Sequence, residues 1–172
     1  DMLSGLVAQI EALRHPETLE RIVALADRMT SARRVLCLGL RSSHPVAWHL
    51  HYALSLLGDR SVLLDGVGGT GLDPLHRAGA DDLLLVVGIQ PYTRHVVDAA
   101  AAAHARGIPV VALTDSEVSP LATHAELTLT APTQSPSFLH TMTPTFALGE
   151  VLAALVAGQD ATGTIGALSD LD

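Results

Sequence analysis

The chain has 172 residues, 48% of them hydrophobic and only 3% aromatic, so a single domain with a core of Ala, Leu and Val is expected. Its net charge is −8 and all ten basic residues are arginine, which excludes Schiff-base chemistry, lysine-anchored pyridoxal phosphate and a Walker-type phosphate loop. The acidic balance argues against this chain gripping nucleic acid by itself, and the lone Cys37 excludes an internal disulfide framework. No apolar run is long enough to cross a bilayer and no secretory pattern opens the chain, so a cytoplasmic location without membrane contact is expected.

Leu3, Leu6, Ile10 and Leu13 recur at helical spacing, and Pro16 is well placed to begin a second helix with Leu19, Ile22, Val23 and Ala26 on one face. "VLCLG" is the first predicted strand, with Cys37 a small buried hydrophobe in its middle. "SSHPVAWHLHYALSLLG" follows as a helix with Val46, Leu50, Ala53, Leu54 and Leu57 along one face and Gly58 as its stop. "SVLLDG" reads as a second strand ending at Asp65, and "GVGGTG" as a turn into a weak helix over Leu72 to Arg77.

"DDLLLVVG" is the third strand, its unbroken apolar run suiting a sheet covered on both faces. The next helix carries Val96, Val97, Ala100 and Ala103 and closes at Gly107; "PVVALTD" and "AELTLTA" are strands four and five. A last helix is capped by Thr143, has Pro144 in its first turn, and packs Phe146, Leu148, Leu152, Leu155 and Val156 inward. Alternating strands and helices predict a three-layer α/β/α sandwich on a five-stranded parallel sheet. The expected division is 1–32 as N-terminal helices for linking or dimerisation, 33–158 as the α/β domain, and 159–172 as a tail expected to fray.

In such sheets ligands bind at the carboxyl ends of the strands, near the switch in strand order. Three loops converge there: "GLRSSHP" from Gly39, "GIQPYTR" from Gly88, and "TDSEVSPLA" from Thr114. The first two are hydroxyl-rich and precede helix N-termini, where exposed N–H groups and the helix dipole favour a phosphate. Ser42, Ser43 and Thr93 can donate hydroxyl hydrogen bonds, and Arg41 and Arg94 can supply charge. The competing reading of Ser43 and Thr93 is that they simply cap helices.

"VLCLGLRSSHPVAWHLHYALSLLG" followed by "DDLLLVVGIQPYTRHVVDAAAAAHARGIPVVALTDSEVSPLATHAE" resembles the SIS (sugar isomerase) domain, in the form carried by RpiR-type transcriptional regulators. The resemblance runs from about Arg33 to Val156. It implies a first loop with glycine and serine, matched by Gly39 and Ser43, and a second loop of pattern Ser-x-Ser-Gly-x-Thr that wraps a sugar phosphate. Here Gly88 stands at the first serine, Gln90 at the second and Pro91 at the glycine, and only Thr93 is retained. The regulator branch commonly has a polar residue followed by Tyr-Ser/Thr-Arg, which "QPYTR" resembles. In this reading Gln90 donates from its amide and Tyr92 hydrogen-bonds or stacks against the ligand. The third pattern, Ser119 to Ala122 followed by Ala125-Glu126, reads as structural.

An aldose–ketose isomerase needs a base at the site, for which His140, Glu117 and Glu150 are the candidates. His140, after the Pro/Ser loop, is the better placed, and Glu150 reads as solvent-facing or interfacial. Metal binding is not expected: His49 and His51 lie about 200° apart on a helix, and His44 and His51 are two turns apart. No cofactor is implied. The leading expectation is a non-enzymatic domain that senses a phosphorylated sugar and self-associates, with DNA contacted only through a helix-turn-helix domain absent from this chain. A sugar-phosphate isomerase and a dimerisation module with a vestigial pocket are the alternatives.

Overall fold

The computed structural model describes residues 1–159, so the tail expected to fray lies, beyond Gln159, outside the described residues. In chain order the elements are α1 (Met2–Ala12), α2 (Pro16–Ser31), β1 (Val35–Gly39), α3 (His44–Ser55), β2 (Ser61–Leu63), α4 (Asp73–His76), β3 (Leu83–Gly88), α5 (Arg94–Ala105), β4 (Val110–Thr114), β5 (Leu127–Thr130) and α6 (Thr143–Gln159). The five strands are all parallel in the order β2-β1-β3-β4-β5. This is the expected three-layer arrangement.

Alternation along the strands divides the interior into two cores. Val35, Cys37, Leu83, Leu85, Val87, Val111 and Leu113 face α2, α3 and α6, where Leu25, Met29, Leu50 and Leu148 fill the space. Leu36, Leu84, Val86 and Ala112 face the other way, against Leu75 of α4 and Val96, Ala100 and Ala103 of α5. Small alanines on α5 let that helix lie close to the sheet, which explains how so few aromatics suffice. Cys37 is wholly buried, and burial pushes its thiol up to about 12, against a weaker pull from Ser61, so it is an inert core residue.

The N-terminal ends of β1 and β3 are pinned by one buried carboxylate. Asp82 accepts from Arg33 at 2.7 Å, from Arg34 at 3.1 Å and from the Gly79 N–H at 3.0 Å. Burial alone would raise its pKa, but the bonds from Arg34, Arg33 and Gly79 outweigh this and hold it well below the usual carboxylate range.

The departures from the expected elements are local. β2 stops at Leu63 rather than Asp65, although the Leu64 N–H still donates to the Cys37 carbonyl at 2.9 Å, because Gly66 turns the chain at φ 75°. A 3₁₀ turn over Arg41–Ser43 precedes α3, which therefore starts at His44 and ends three residues before Gly58. α6 begins at Thr143, whose N–H donates to the hydroxyl of Thr141, so the hydroxyl serving the helix start comes from two residues earlier. α1 packs against α6 and leaves Leu3 and Val7 exposed.

Candidate functional site

Strand order reverses between β1 and β3: from β1 the sheet grows to β2 on one side, and from β3 to β4 and β5 on the other. A cleft of about 260 Å³ opens at the carboxyl ends of these two strands, the place where a switch point leaves room for a ligand. Leu40 to Ser43 form one wall and Gly88 to Thr93 the other, with Val96, Val97, Leu121 and His140 completing the lining.

Gly39 makes the first wall possible. A Cβ there would sit 2.7 Å from the Ser43 carbonyl oxygen and 3.0 Å from Ala47 Cβ, so only glycine lets the turn fold back against the end of β1. That turn buries Ser43 and leaves Arg41 and Ser42 exposed at the rim. Arg41 holds a left-handed backbone, φ 54°, a conformation costing an ordinary residue about 1–2 kcal/mol. Ser43 and Thr93 are the residues preceding α3 and α5, yet neither side chain makes a capping hydrogen bond. Both hydroxyls are thus available to the cleft.

The second wall is tied down from below by Asp115, at the end of β4. One carboxylate oxygen accepts from the Tyr92 hydroxyl at 2.8 Å and the Thr114 hydroxyl at 3.2 Å; the other accepts from the Gln90 N–H at 3.2 Å. Burial, then the bond to Asp115 and its charge, push the Tyr92 phenol up to about 12, so it is a fixed donor at any ordinary pH. Tyr92 lines the cleft, but its hydroxyl is committed to Asp115 rather than turned to a ligand, and only its ring is left for stacking. Gln90, on an exposed bend, also lines the cleft.

Arg94 does not line the cleft. Its side chain is 90% exposed and pairs with Asp98 one turn along α5, because the first turn of the helix directs it outward. Gly88 lies at the base of the cleft, where a Cβ would come 2.7 Å from Leu121 Cδ1. Leu121, from the third loop, occupies the space a side chain at 88 would need. The rest of that loop is structural: Ser119 is buried and its hydroxyl accepts from the Ala122 N–H.

Of the three candidate bases only His140 lines the cleft, as an exposed side chain. Glu117 is paired with Arg21 of α2, and Glu150 is exposed on α6; neither lines the cleft. Among the described residues no carboxylate lines the cleft, and no cluster of three or more His, Cys, Asp or Glu is arranged to hold a metal. His44 bonds the Gly39 carbonyl, His51 bonds Ser61, and His49 packs its ring against Phe146. Burial pushes His51 down, more than nearby Asp65 restores. Among the described residues no helix is long and apolar enough to cross a membrane.

The family model of the SIS domain matches residues 28–155, which takes in both walls of the cleft. The chain belongs to the SIS domain family. A comparison with curated proteins found no significant match. Among solved structures, this SIS domain is similar to the sugar isomerase domain of an RpiR transcription factor from Sphaerobacter thermophilus, with 29% identity, TM-score 0.90, and coverage of 99% of this chain and 96% of that one. Vibrio vulnificus NanR, solved with ManNAc-6P, matches at 23% identity and TM-score 0.75, over 88% of this chain and 59% of that one. A Methanococcus jannaschii protein whose structure inferred a 3-hexulose-6-phosphate isomerase function matches at 19% identity and TM-score 0.77, over 96% of this chain and 94% of that one. The last two likenesses speak for the fold alone.

The residues that sequence reasoning missed in this SIS domain are Asp115 and Leu121. Asp115 belongs to the loop that starts at Thr114, and the signal for its role is an ionisable residue directly after a strand end, at the height of the other two loops.

Proposed function

We propose that this SIS domain is the effector-binding part of an RpiR-type regulator, and that the cleft holds the phosphate of a phosphorylated sugar without converting it. The observation that carries the reading is the pairing of uncommitted Ser43 and Thr93 hydroxyls across a cleft lined, among the described residues, by no carboxylate. Such a site stabilises an anion through hydroxyls, the first-turn N–H groups of α5 and the charge of Arg41, and offers no acid–base pair. The likeness to the RpiR transcription factor domain supports the same reading. Any DNA contact belongs to a domain outside this chain. Exposed Leu3 and Val7 on α1 favour self-association through the helical layer.

The isomerase reading is favoured by His140, which lines the cleft and can carry a proton. A thermal-shift screen against sugar phosphates separates the readings. At 100 times Kd a specific ligand adds about 2.7 kcal/mol of stability. Thr93→Val and Ser43→Ala should each weaken binding about ten- to a hundredfold, since a hydrogen bond to a charged group is worth about 1.5–3 kcal/mol. Neither should lower the melting temperature of unliganded protein through loss of a cap, because neither hydroxyl caps its helix. Turnover of an aldose phosphate that His140→Ala abolishes establishes the isomerase instead. No shift with any sugar phosphate overturns both and leaves a dimerisation module.

A further inference from the structure

The segment 133–141, between β5 and α6, is a loop with a fixed base and a free tip. Thr133 and Thr141 are buried, and the Thr141 N–H donates to the Thr133 carbonyl at 3.0 Å, which closes the base. Within the tip the bonds are local: the Ser137 N–H donates to the Ser135 hydroxyl at 3.0 Å, and the Leu139 N–H to the Ser137 hydroxyl at 3.1 Å. Phe138, one of two phenylalanines in the chain, is 98% exposed there, and Leu139 beside it is exposed as well. His140 lines the cleft, and two residues of chain span at most about 7 Å, so Phe138 stands beside the cleft mouth.

Bonds that run only to neighbouring residues move with the tip, so it can swing about Thr133 and Thr141 without breaking them. Among the described residues, the hydrogen bonds that tie the tip to another element go to α1 alone. The Gln9 side-chain amide donates to the Gln134 carbonyl at 2.7 Å, and the Ser135 hydroxyl donates to the Met2 sulfur at 3.9 Å. That contact is half made: Gln9 Oε1 is buried and meets no donor among the described residues, which disfavours this position of the loop. The ring of Phe138 disfavours it too, since it holds apolar surface in water while the cleft beside it offers Leu40, Pro91, Val97 and Leu121. Water in an open cleft competes for the Ser43 and Thr93 hydroxyls. A ring over the mouth excludes that water, so the closed form holds an anion more tightly, and by linkage the anion favours closure.

We propose that residues 133–141 form a strap that closes Phe138 over an anion in the cleft and, through Gln134 and Gln9, passes the movement to α1. The proposal rests on the reading that the cleft holds a phosphate. It is tested by hydrogen–deuterium exchange of the protein with and without inorganic phosphate, with calorimetric titration of phosphate alongside. Phosphate should slow exchange at the Ser137 and Leu139 amides and change it in the last turn of α1. Phe138→Ser should leave the melting temperature of the unliganded protein unaltered, because the ring is in solvent. It should weaken phosphate binding about tenfold, the scale of partly burying one phenyl ring. Gln9→Met should keep the loop's response and remove that of α1.

Phosphate binding that Thr93→Val weakens, but that leaves exchange in the loop unmoved, overturns the strap while leaving the phosphate reading standing. Unchanged affinity in Phe138→Ser also overturns it. An α1 response that survives Gln9→Met, or none in the unaltered protein, overturns the relay to α1. Protection of the tip that appears without phosphate and grows with protein concentration shows a second copy covering Phe138, and the strap is then wrong. If either variant fails to fold, exchange in the unaltered protein decides by itself. If phosphate does not bind, the phosphate reading fails first and the strap with it.

Discussion

Asp115→Asn tests whether the second wall of the cleft is held by one carboxylate. The substitution keeps the shape of the side chain. Its oxygen can still accept from Tyr92 and Thr114, but its new NH₂ faces the Gln90 N–H, which the second carboxylate oxygen now receives at 3.2 Å. Two bonds to a charged acceptor become bonds to a neutral one, and the third becomes donor against donor. Bonds to charged groups are worth about 1.5–3 kcal/mol and neutral ones about 0.5–1.5, so two weakened bonds and one lost bond sum to about 4 kcal/mol; Asp115 is only partly buried and water replaces about half of that, which leaves a net loss of about 2 kcal/mol. For a domain of this size that lowers the melting temperature by about 4–8 °C.

A second readout separates this from general damage. Tyr92 is held at about 12 by burial and by Asp115, and the chain has two tyrosines, so in a Tyr52→Phe background ultraviolet titration follows Tyr92 alone. Its folded pKa lies above the ordinary value of about 10, so the stabilisation it contributes is complete below that pH and is lost as pH rises through about 12. Asp115→Asn should move the transition toward the ordinary value. A melting temperature within 1 °C of the parent together with an unmoved tyrosine transition would refute the anchoring role.

Gly88→Ser, which restores the hydroxyl the family resemblance places there, should cost about 1–3 kcal/mol because its Cβ meets Leu121 Cδ1, and Leu121→Ala in the same chain should recover part of it. Chemical denaturation checks this; a Gly88→Ser protein as stable as the parent contradicts the crowding. Arg41→Gly relieves about 1–2 kcal/mol of left-handed strain against about 0.5–1 kcal/mol of added chain entropy, so its melting temperature should hold while ligand affinity falls severalfold. Unchanged affinity in calorimetry would remove Arg41 from the site. Asp82→Asn should cost about 3 kcal/mol at neutral pH, the low end for breaking a buried pair, since Arg33 and Arg34 still reach water. Because the folded pKa of Asp82 is depressed, its contribution is present above the ordinary carboxylate value and is lost as pH falls below it; urea melts of the variant should show a flatter acid limb.

The three central strands were legible because burial on both faces forces continuous apolar runs, and "VLCLG", "LLLVVG" and "VVALT" hold a single hydroxyl, that of Thr114 at the end of β4. The place of the cleft was legible for a related reason: short hydroxyl-rich loops joined strand ends to helix starts. What each side chain does there was not. Tyr92 and Asp115 are 23 residues apart, and no local pattern says that a phenol will be claimed by the carboxylate at the end of the neighbouring strand. The direction of Arg94 follows from helix phase at its first residue, where an error of one position turns a ligand group into a surface ion pair. Ser43 and Thr93 carry the composition of caps without the geometry of caps, which is set by how Gly39 and the end of β3 deliver the chain into each helix.

The sheet is a partition: α3 is packed into the core on one side, α5 into the core on the other, and the two apolar interiors touch only through the strands. Ser43 belongs to the first half and Thr93 to the second, and the switch point brings both to the rim of one opening. On the function proposed above, an anion held from both rims would be a rivet through the stack, joining the two helical layers across the plate between them.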